Sequence, residues 1–395
     1  MAKTCNVALI GQGFMGRTHS NAYLNVAKFF TDLPMVPVMH TSYGLESENP
    51  KIFAERWGWK NAASDWKAVI RNEDIQFVDI VTPNDMHMPP AIEAMQAGKP
   101  VATEKPIAGT LADARAMAEM AKKSGVKTFV WYNYRRVPAV ALAHQLVKAG
   151  KLGRIFHIRC QYLQEWGGPA TPLLWRFQKK YAGSGAHGDL NAHIVDMARF
   201  VTGDEIVEVS GAIAETFIKE RVIPTQGSTG GITAGAKGSA QMGKVDVDDA
   251  VIFLTRFKSG AIGSFEASRL ATGYLNRNGF EIHGEKGALR FNFEDMNYLD
   301  YWDATADRKV QGWNRIMATS GENHPYVKYW WPDAHILGYE HGFVNEAADI
   351  MRVLAGEQPE VPLPDFQDAY ETQRVLEAAL LAAENRAAVK MSEVK

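Results

Sequence analysis

Cysteine is almost absent from this chain. Cys5 and Cys160 are the only two in 395 residues. That is too few for a disulfide framework, and neither sits in a CxxC pair or near a second cysteine that would suggest a zinc site. Both read as core residues. Excess charge of one sign is lacking too. A formal net charge of −2 and a pI near 6.6, with no Lys/Arg-rich run, leave no basic field to hold a phosphate backbone, so nucleic acid is not an expected partner. No stretch approaches the ~18–20 apolar residues of a membrane span. The apolar start, Val7–Ile10, is too short for a signal segment. A cytoplasmic protein with no membrane partner is expected. No internal repeat or low-complexity tract is visible.

What is present is ordinary for a globular protein. Hydrophobic residues make up 46% and charged residues 22%, and the length is about that of two domains. The first third alternates short apolar runs (Asn6–Ile10, Val36–Met39, Phe77–Val81, Pro100–Thr103, Thr128–Trp131) with helical patterns closed by Gly98 or Gly125. Repeated strand–helix–strand units imply a parallel sheet with right-handed crossovers. After Tyr134 the pattern changes to strand-like runs with few helices between them: Arg154–Leu163, Val207–Phe217, Ala250–Arg256, Ala261–Ser268, Phe280–His283 and Ala288–Phe293. The expected class is α/β. A Rossmann domain spans 1–134, and an α+β domain on an open, mainly antiparallel sheet spans 135–365. A last helix, 366–385, packs back on the first domain, and 224–243 forms a long loop or flap.

Gly11-Gln12-Gly13-Phe14-Met15-Gly16 follows the first strand and opens a helix. In that context the glycines allow a tight turn, close approach of a pyrophosphate and close helix packing, with the helix N-terminus facing the phosphates. The second strand ends without the usual acidic residue, so Glu46, a little further on, is the candidate for the adenosine ribose. No arginine lies in that turn, which favours NAD over NADP. Thr82-Pro83-Asn84, with His87, and Glu104-Lys105-Pro106 each follow a strand, where the ligand crevice of a parallel sheet lies. Asn133, after the last strand of this domain, completes the expected cofactor set. At such a position an ammonium such as Lys105 can stabilise a developing alkoxide and orient a hydroxyl.

A second constellation runs from Gly183 to Asp196. A glycine-rich turn opens a helical pattern in which Asp189, His193 and Asp196 share one face. A carboxylate one turn from a histidine can fix its tautomer and raise its basicity, making His193 a general base suited to neutral pH. A capped structural helix and a divalent metal site are the alternatives. No further Cys, His or Glu stands at helical spacing to complete a metal set, so no metal is expected.

These motifs, in this order and at these separations, resemble the glucose–fructose oxidoreductase/inositol dehydrogenase family (Gfo/Idh/MocA). Val245-Asp246-Val247-Asp248-Asp249 and the His283-Gly284 to Gly287 turn extend the likeness over most of the chain. The resemblance implies that Lys105, Asp189 and His193 form the catalytic set, with substrate between the Rossmann domain and the open sheet. The chain departs from the family pattern where Ser184 interrupts a triple glycine and where Asn191-Ala192 precedes the histidine. The segments around Asn133–Arg136, Tyr162–Trp166 and Trp175–Lys179 look most similar to the members that oxidise anhydrosugars and glucosides. The residue types agree with a sugar, since Tyr162, Trp166 and Trp175 offer ring faces for stacking while Arg135 and Arg176 satisfy hydroxyls. The expected activity is NAD-linked oxidation of a ring secondary hydroxyl, at carbon 3, of a sugar, glucoside or anhydrosugar. Inositol oxidation, redox-neutral glycoside cleavage and a non-catalytic sensor are the alternatives. A homo-oligomer, a dimer or tetramer formed through the second sheet, is also expected.

Overall fold

The computed structural model describes residues 2–224 and 238–395. Its first sheet contains β1 (Lys3–Ile10), β2 (Met35–Tyr43), β3 (Asn61–Ala63), β4 (Phe77–Ile80), β5 (Val101–Glu104) and β6 (Thr128–Trp131), all parallel, in the order β3-β2-β1-β4-β5-β6. Every residue of β4, β5 and β6 is buried, as expected when helices cover both faces of a parallel sheet. Chain order reverses between β1 and β4. The carboxyl ends of these two strands therefore part to form a crevice. Helix α1 (Phe14–Phe29) starts at that crevice. Gly11 has φ +121°, and a Cβ on Gly16 would lie 2.8 Å from the Gly11 carbonyl oxygen, so only glycine lets the helix approach the turn this closely. Helix α2 (Leu111–Ser124) begins where the Thr110 side chain accepts from the Asp113 amide and ends at Gly125, φ +70°.

The second sheet is larger and mixed. Its strands are β7 (Ile155–Leu163), β8 (Ile206–Glu215), β11 (Ala250–Phe257), β12 (Ile262–Ser268), β13 (Arg277–Gly284), β14 (Gly287–Asn292), β15 (Tyr298–Asp303), β16 (Trp313–Met317) and the short β17 (Val389–Lys390). Only β7 and β12 run parallel, while every other pairing is antiparallel. The region expected to be one long loop begins and ends as a hairpin, β9 (Glu220–Pro224) against β10 (Gly238–Lys244), and 225–237 lie outside the described residues. Helices α3 (Pro138–Lys148) and α4 (Ala192–Thr202) cover one face of the sheet. Along β11 the alternation is plain: Val251, Phe253, Thr255 and Phe257 point inward, and Ile252, Leu254 and Arg256 outward.

Two helices return to the first domain. The last, α6 (Phe366–Asn385), lies against α2 and also against β8 and α4, so it is wedged between the domains. Ahead of it α5 (Tyr339–Leu354), inside the span expected to be purely substrate-binding, packs on α1. Gly342 through Arg352 are all buried, and Phe343, Val344, Ala347, Ala348 and Met351 among them belong to the hydrophobic core. Both cysteines are buried and unbridged, and burial pushes the Cys5 thiol up to about 12. Among the described residues no helix is long and apolar enough to cross a membrane.

Candidate active site

The crevice at the carboxyl ends of β1 and β4 continues into a cleft whose far wall comes from the second domain. Gly11, Gly13, Phe14, Met15, Thr82, Asn84, Glu104, Lys105 and Asn133 line it from the first domain, and Tyr162, Trp175, Arg176, Asp189 and His193 from the second. Most of the residues singled out in the sequence thus converge on one cavity.

The glycine turn fits a dinucleotide. A Cβ on Gly13 would meet nothing within 4 Å, so the space in front of the turn is open. The Gln12 side chain lines the cleft with both amide atoms buried and without a hydrogen-bond partner among the described residues, as expected of groups awaiting a polar ligand. No acidic side chain stands in the first turn of α1 to compete with a phosphate for the helix N-terminus.

Glu46, the candidate for the adenosine ribose, stands outside the cleft. Its exposed carboxylate accepts from the Ser64 hydroxyl and does not line the cleft. A short helical turn at Glu46–Glu48 rotates Glu48 into the lining instead, beside Tyr43 and Leu45. Sequence distance alone could not tell which face of that turn would point inward.

Lys105 and Asp189 meet across the domain boundary. The Lys105 Nζ donates to the Asp189 main-chain oxygen at 2.8 Å and to its Oδ1 at 3.0 Å. The other carboxylate oxygen accepts from Arg269 Nη2 at 3.0 Å, and Arg269 also donates to the Arg176 carbonyl. Burial would raise the Asp189 carboxyl, but Lys105, Arg269 and Arg176 outweigh it and hold the group far below the usual carboxylate range. Arg269 had no sequence signal, because it reaches the site through the strand register that sets the end of β12 beside β7.

The expected carboxylate–histidine pair does not form. Residues His187–Asn191 make a turn of π-helix before α4 begins, so residues four apart no longer stack. Asp189 turns toward the two cations, while His193 lies among aromatic rings, with centroid distances of 4.5 Å to Tyr134 and 5.8 Å to Tyr162. Burial first, then the Lys105 charge, push the His193 imidazole well below its ordinary value, so it is neutral at pH 7 and able to accept a proton. The turn is held by Asp248, whose carboxylate accepts from the Gly185 and His187 amides at 2.7 and 2.8 Å. A Cβ on Gly185 would fall 1.8 Å from the Asp248 carbonyl oxygen, and one on Gly183 1.8 Å from that of Gly109.

Other expected residues stand behind the cleft. His87 is fully buried, with Nδ1 and Nε2 each 3.0 Å from a carbonyl oxygen, of Pro106 and Thr82, so it ties the two strand-end loops together from beneath. Arg135 is locked between Asp196 and Asp368, so Asp196 is paired with Arg135 and not with His193. Trp166 packs on Phe177 and donates its indole N–H to Gln164. Asn191, one of the departures from the family pattern, is bound to His187 and the Val251 carbonyl. Tyr134, Gln164, Tyr339 and Phe343 line the cleft instead.

The chain as a whole has known relatives. Residues 5–132 match the oxidoreductase family with an NAD-binding Rossmann fold, and 140–290 match the Gfo/Idh/MocA C-terminal domain. Levoglucosan dehydrogenase of Pseudarthrobacter phenanthrenivorans is 39% identical over 395 residues, 98% of either chain. A scyllo-inositol 2-dehydrogenase (NAD(+)) of Bacillus subtilis is 27% identical over 71% of this chain and 72% of its own. Among solved structures, an oxidoreductase domain protein from Kribbella flavida superposes with a TM-score of 0.90 at 44% identity, covering 99% of this chain and all of that one. Levoglucosan dehydrogenase in complex with NADH and levoglucosan superposes with a TM-score of 0.90 at 38% identity, covering 99% of this chain and 100% of its own. With both halves of the cleft and nearly the full length accounted for, the chain belongs to the Gfo/Idh/MocA oxidoreductases and uses NAD as its cofactor.

Proposed function

We propose that this enzyme oxidises a ring secondary hydroxyl, at carbon 3, of a neutral sugar, glucoside or anhydrosugar. The observation that carries the reading is the meeting of Lys105, Asp189 and His193 in one cleft beside Trp175 and Arg176. In this reading the Lys105 ammonium donates to the hydroxyl oxygen and lowers the cost of negative charge there. The neutral His193 imidazole takes the hydroxyl proton. Asp189 orients Lys105 rather than His193, a change from the role its spacing suggested. NAD, when bound, supplies the acceptor for the hydride that leaves the carbinol carbon. The Trp175 ring, with Arg176 4.4 Å above it, suits the C–H face of a pyranose and the hydroxyls at its rim. The levoglucosan dehydrogenase relative supports an anhydrosugar in particular.

The division of labour, with NAD on residues 1–134 and substrate mainly on 135–365, is part of the same proposal. So are a cytoplasmic location and a homo-oligomer formed through the outer face of the second sheet, where Ile213, Ile252, Leu254 and Ile262 are exposed. The test is product analysis by NMR after incubation with NAD and a panel of levoglucosan, glucosides, myo-inositol and hydroxy acids. A 3-keto sugar with stoichiometric NADH absorbance at 340 nm is the expected result. Turnover of hydroxy acids alone would refute the sugar pocket, inositol alone would refute carbon 3, and cleavage without NADH accumulation would refute net oxidation.

A further inference from the structure

A chain of hydrogen bonds along the wall of the cleft has only one self-consistent direction, set by the atom at which it starts. The Trp166 indole nitrogen can only donate, and it lies 2.7 Å from Gln164 Oε1. That contact orients the Gln164 amide, so its Nε2 is the atom that donates to Asn276 Oδ1, also at 2.7 Å. The Asn276 atom facing this pocket is therefore an acceptor. Tyr162 lies 2.8 Å from the same oxygen and must spend its single proton there. The Tyr162 oxygen, 2.8 Å from that of Tyr134, can then only accept, so Tyr134 spends its own proton on Tyr162. Burial pushes both phenols above their ordinary range, so each carries its proton at neutral pH. Asn276 is in turn fixed by its backbone amide, which donates to Glu294 Oε1 at 3.0 Å.

We infer that this relay makes Tyr134 an obligate hydrogen-bond acceptor toward the cleft, and so a specificity residue that demands a hydroxyl donor on the sugar beside the carbon that reacts. Tyr134, Tyr162 and Gln164 all line the cleft, and the Tyr134 ring lies against His193, so the demand falls close to the reacting centre. A ring hydroxyl meets it, whereas fluorine, an ether oxygen or a carboxylate oxygen cannot. Trp166 acts at a distance, as the group that sets the direction. The relay rests on the sugar reading above only for the identity of the donor.

A neutron diffraction map of the deuterium-exchanged holoenzyme tests the direction without reference to turnover. The expected map places the Tyr134 deuteron between the two phenol oxygens. A deuteron directed into the cleft overturns the inference, whichever sugar is oxidised. The consequence is read in steady-state kinetics with levoglucosan and its 2- and 4-deoxyfluoro analogues. One analogue should lose about tenfold in kcat/KM, mostly through KM, as expected for one hydrogen bond of ordinary strength. Tyr134→Phe should bring the parent sugar down to that analogue and abolish the difference. Gln164→Glu presents an acceptor to Asn276, turns its amide round and reverses every bond after it, so the penalty on the fluorinated sugar should shrink. No penalty on either analogue, or an equal loss on all three sugars in Tyr134→Phe, would overturn the specificity role. Failure to oxidise levoglucosan at all would count against the proposed substrate, and the neutron map would still decide the relay.

Discussion

His193 shows how far a side chain's surroundings can move it from its sequence-level description. Spacing suggested a histidine made more basic by a neighbouring carboxylate, but the structure gives it aromatic walls and the Lys105 ammonium instead. Burial and the Lys105 charge disfavour the imidazolium and outweigh the Asp189 charge, so the ring is deprotonated well before neutral pH is reached. The acid limb of a kcat/KM profile for the free enzyme should therefore lie below about 6.5, the ordinary histidine value. Activity should stay level as pH falls through that point and decline only further down. A limb at or above it would mean that His193 is not the base, or that Asp189 governs it after all. Arg135 and Arg176 make the same point in another way. Both are arginines close to aromatic residues in sequence, yet only Arg176 lines the cleft, because Asp196 and Asp368 hold Arg135 in the interior.

The elements most readable in sequence are those whose signals are local. The turn between β1 and α1 needs its glycines for reasons visible in any strand–turn–helix, and the open space at Gly13 separates its role from that of its neighbours. Gly13→Val should fold with a near-native melting temperature, because nothing lies within 4 Å of the new Cβ, while titration with NADH shows affinity lost. Wild-type affinity in that variant would remove the turn from the cofactor site. The π-turn before α4 was not readable in this way. It exists because Asp248, about sixty residues further along the chain, draws the Gly185 and His187 amides onto its carboxylate. The strands Tyr298–Asp303 and Trp313–Met317 were missed for a related reason, since strands this exposed at one end of the sheet lack the alternation that marks a half-buried one.

At the scale of the whole molecule, one fully buried group ties the cofactor half together. His19 on α1 binds Asp79 on β4 at 2.8 Å and Glu104 on β5 at 3.0 Å. Burial favours the neutral ring, but the two carboxylates prevail and raise it to about 9. Because the folded value lies above the unfolded one, the contribution is complete below about pH 6.5 and is lost as pH rises toward 9. It amounts to roughly 3 kcal/mol. The melting temperature should fall between pH 7 and 9.5, and His19→Asn should melt lower at pH 7 with a flatter dependence. An unchanged slope in that variant would assign the pH effect to other groups.

Much of this protein followed from sequence alone, because the governing interactions are short in range. Apolar runs of strand length, helix-ending glycines and a glycine turn determine a parallel sheet with a dinucleotide site, and Lys105 stands at a strand end wherever the rest of the chain goes. The tertiary structure decided what depends on residues far apart in the chain. It paired Asp189 with Lys105 and Arg269 instead of His193, turned Glu48 rather than Glu46 to the cleft, and drew Arg135, Trp166 and His87 behind it. Partner choice for a buried charge is set by which opposite charge lies within hydrogen-bond distance after the domains close, and spacing along the chain carries no record of that distance.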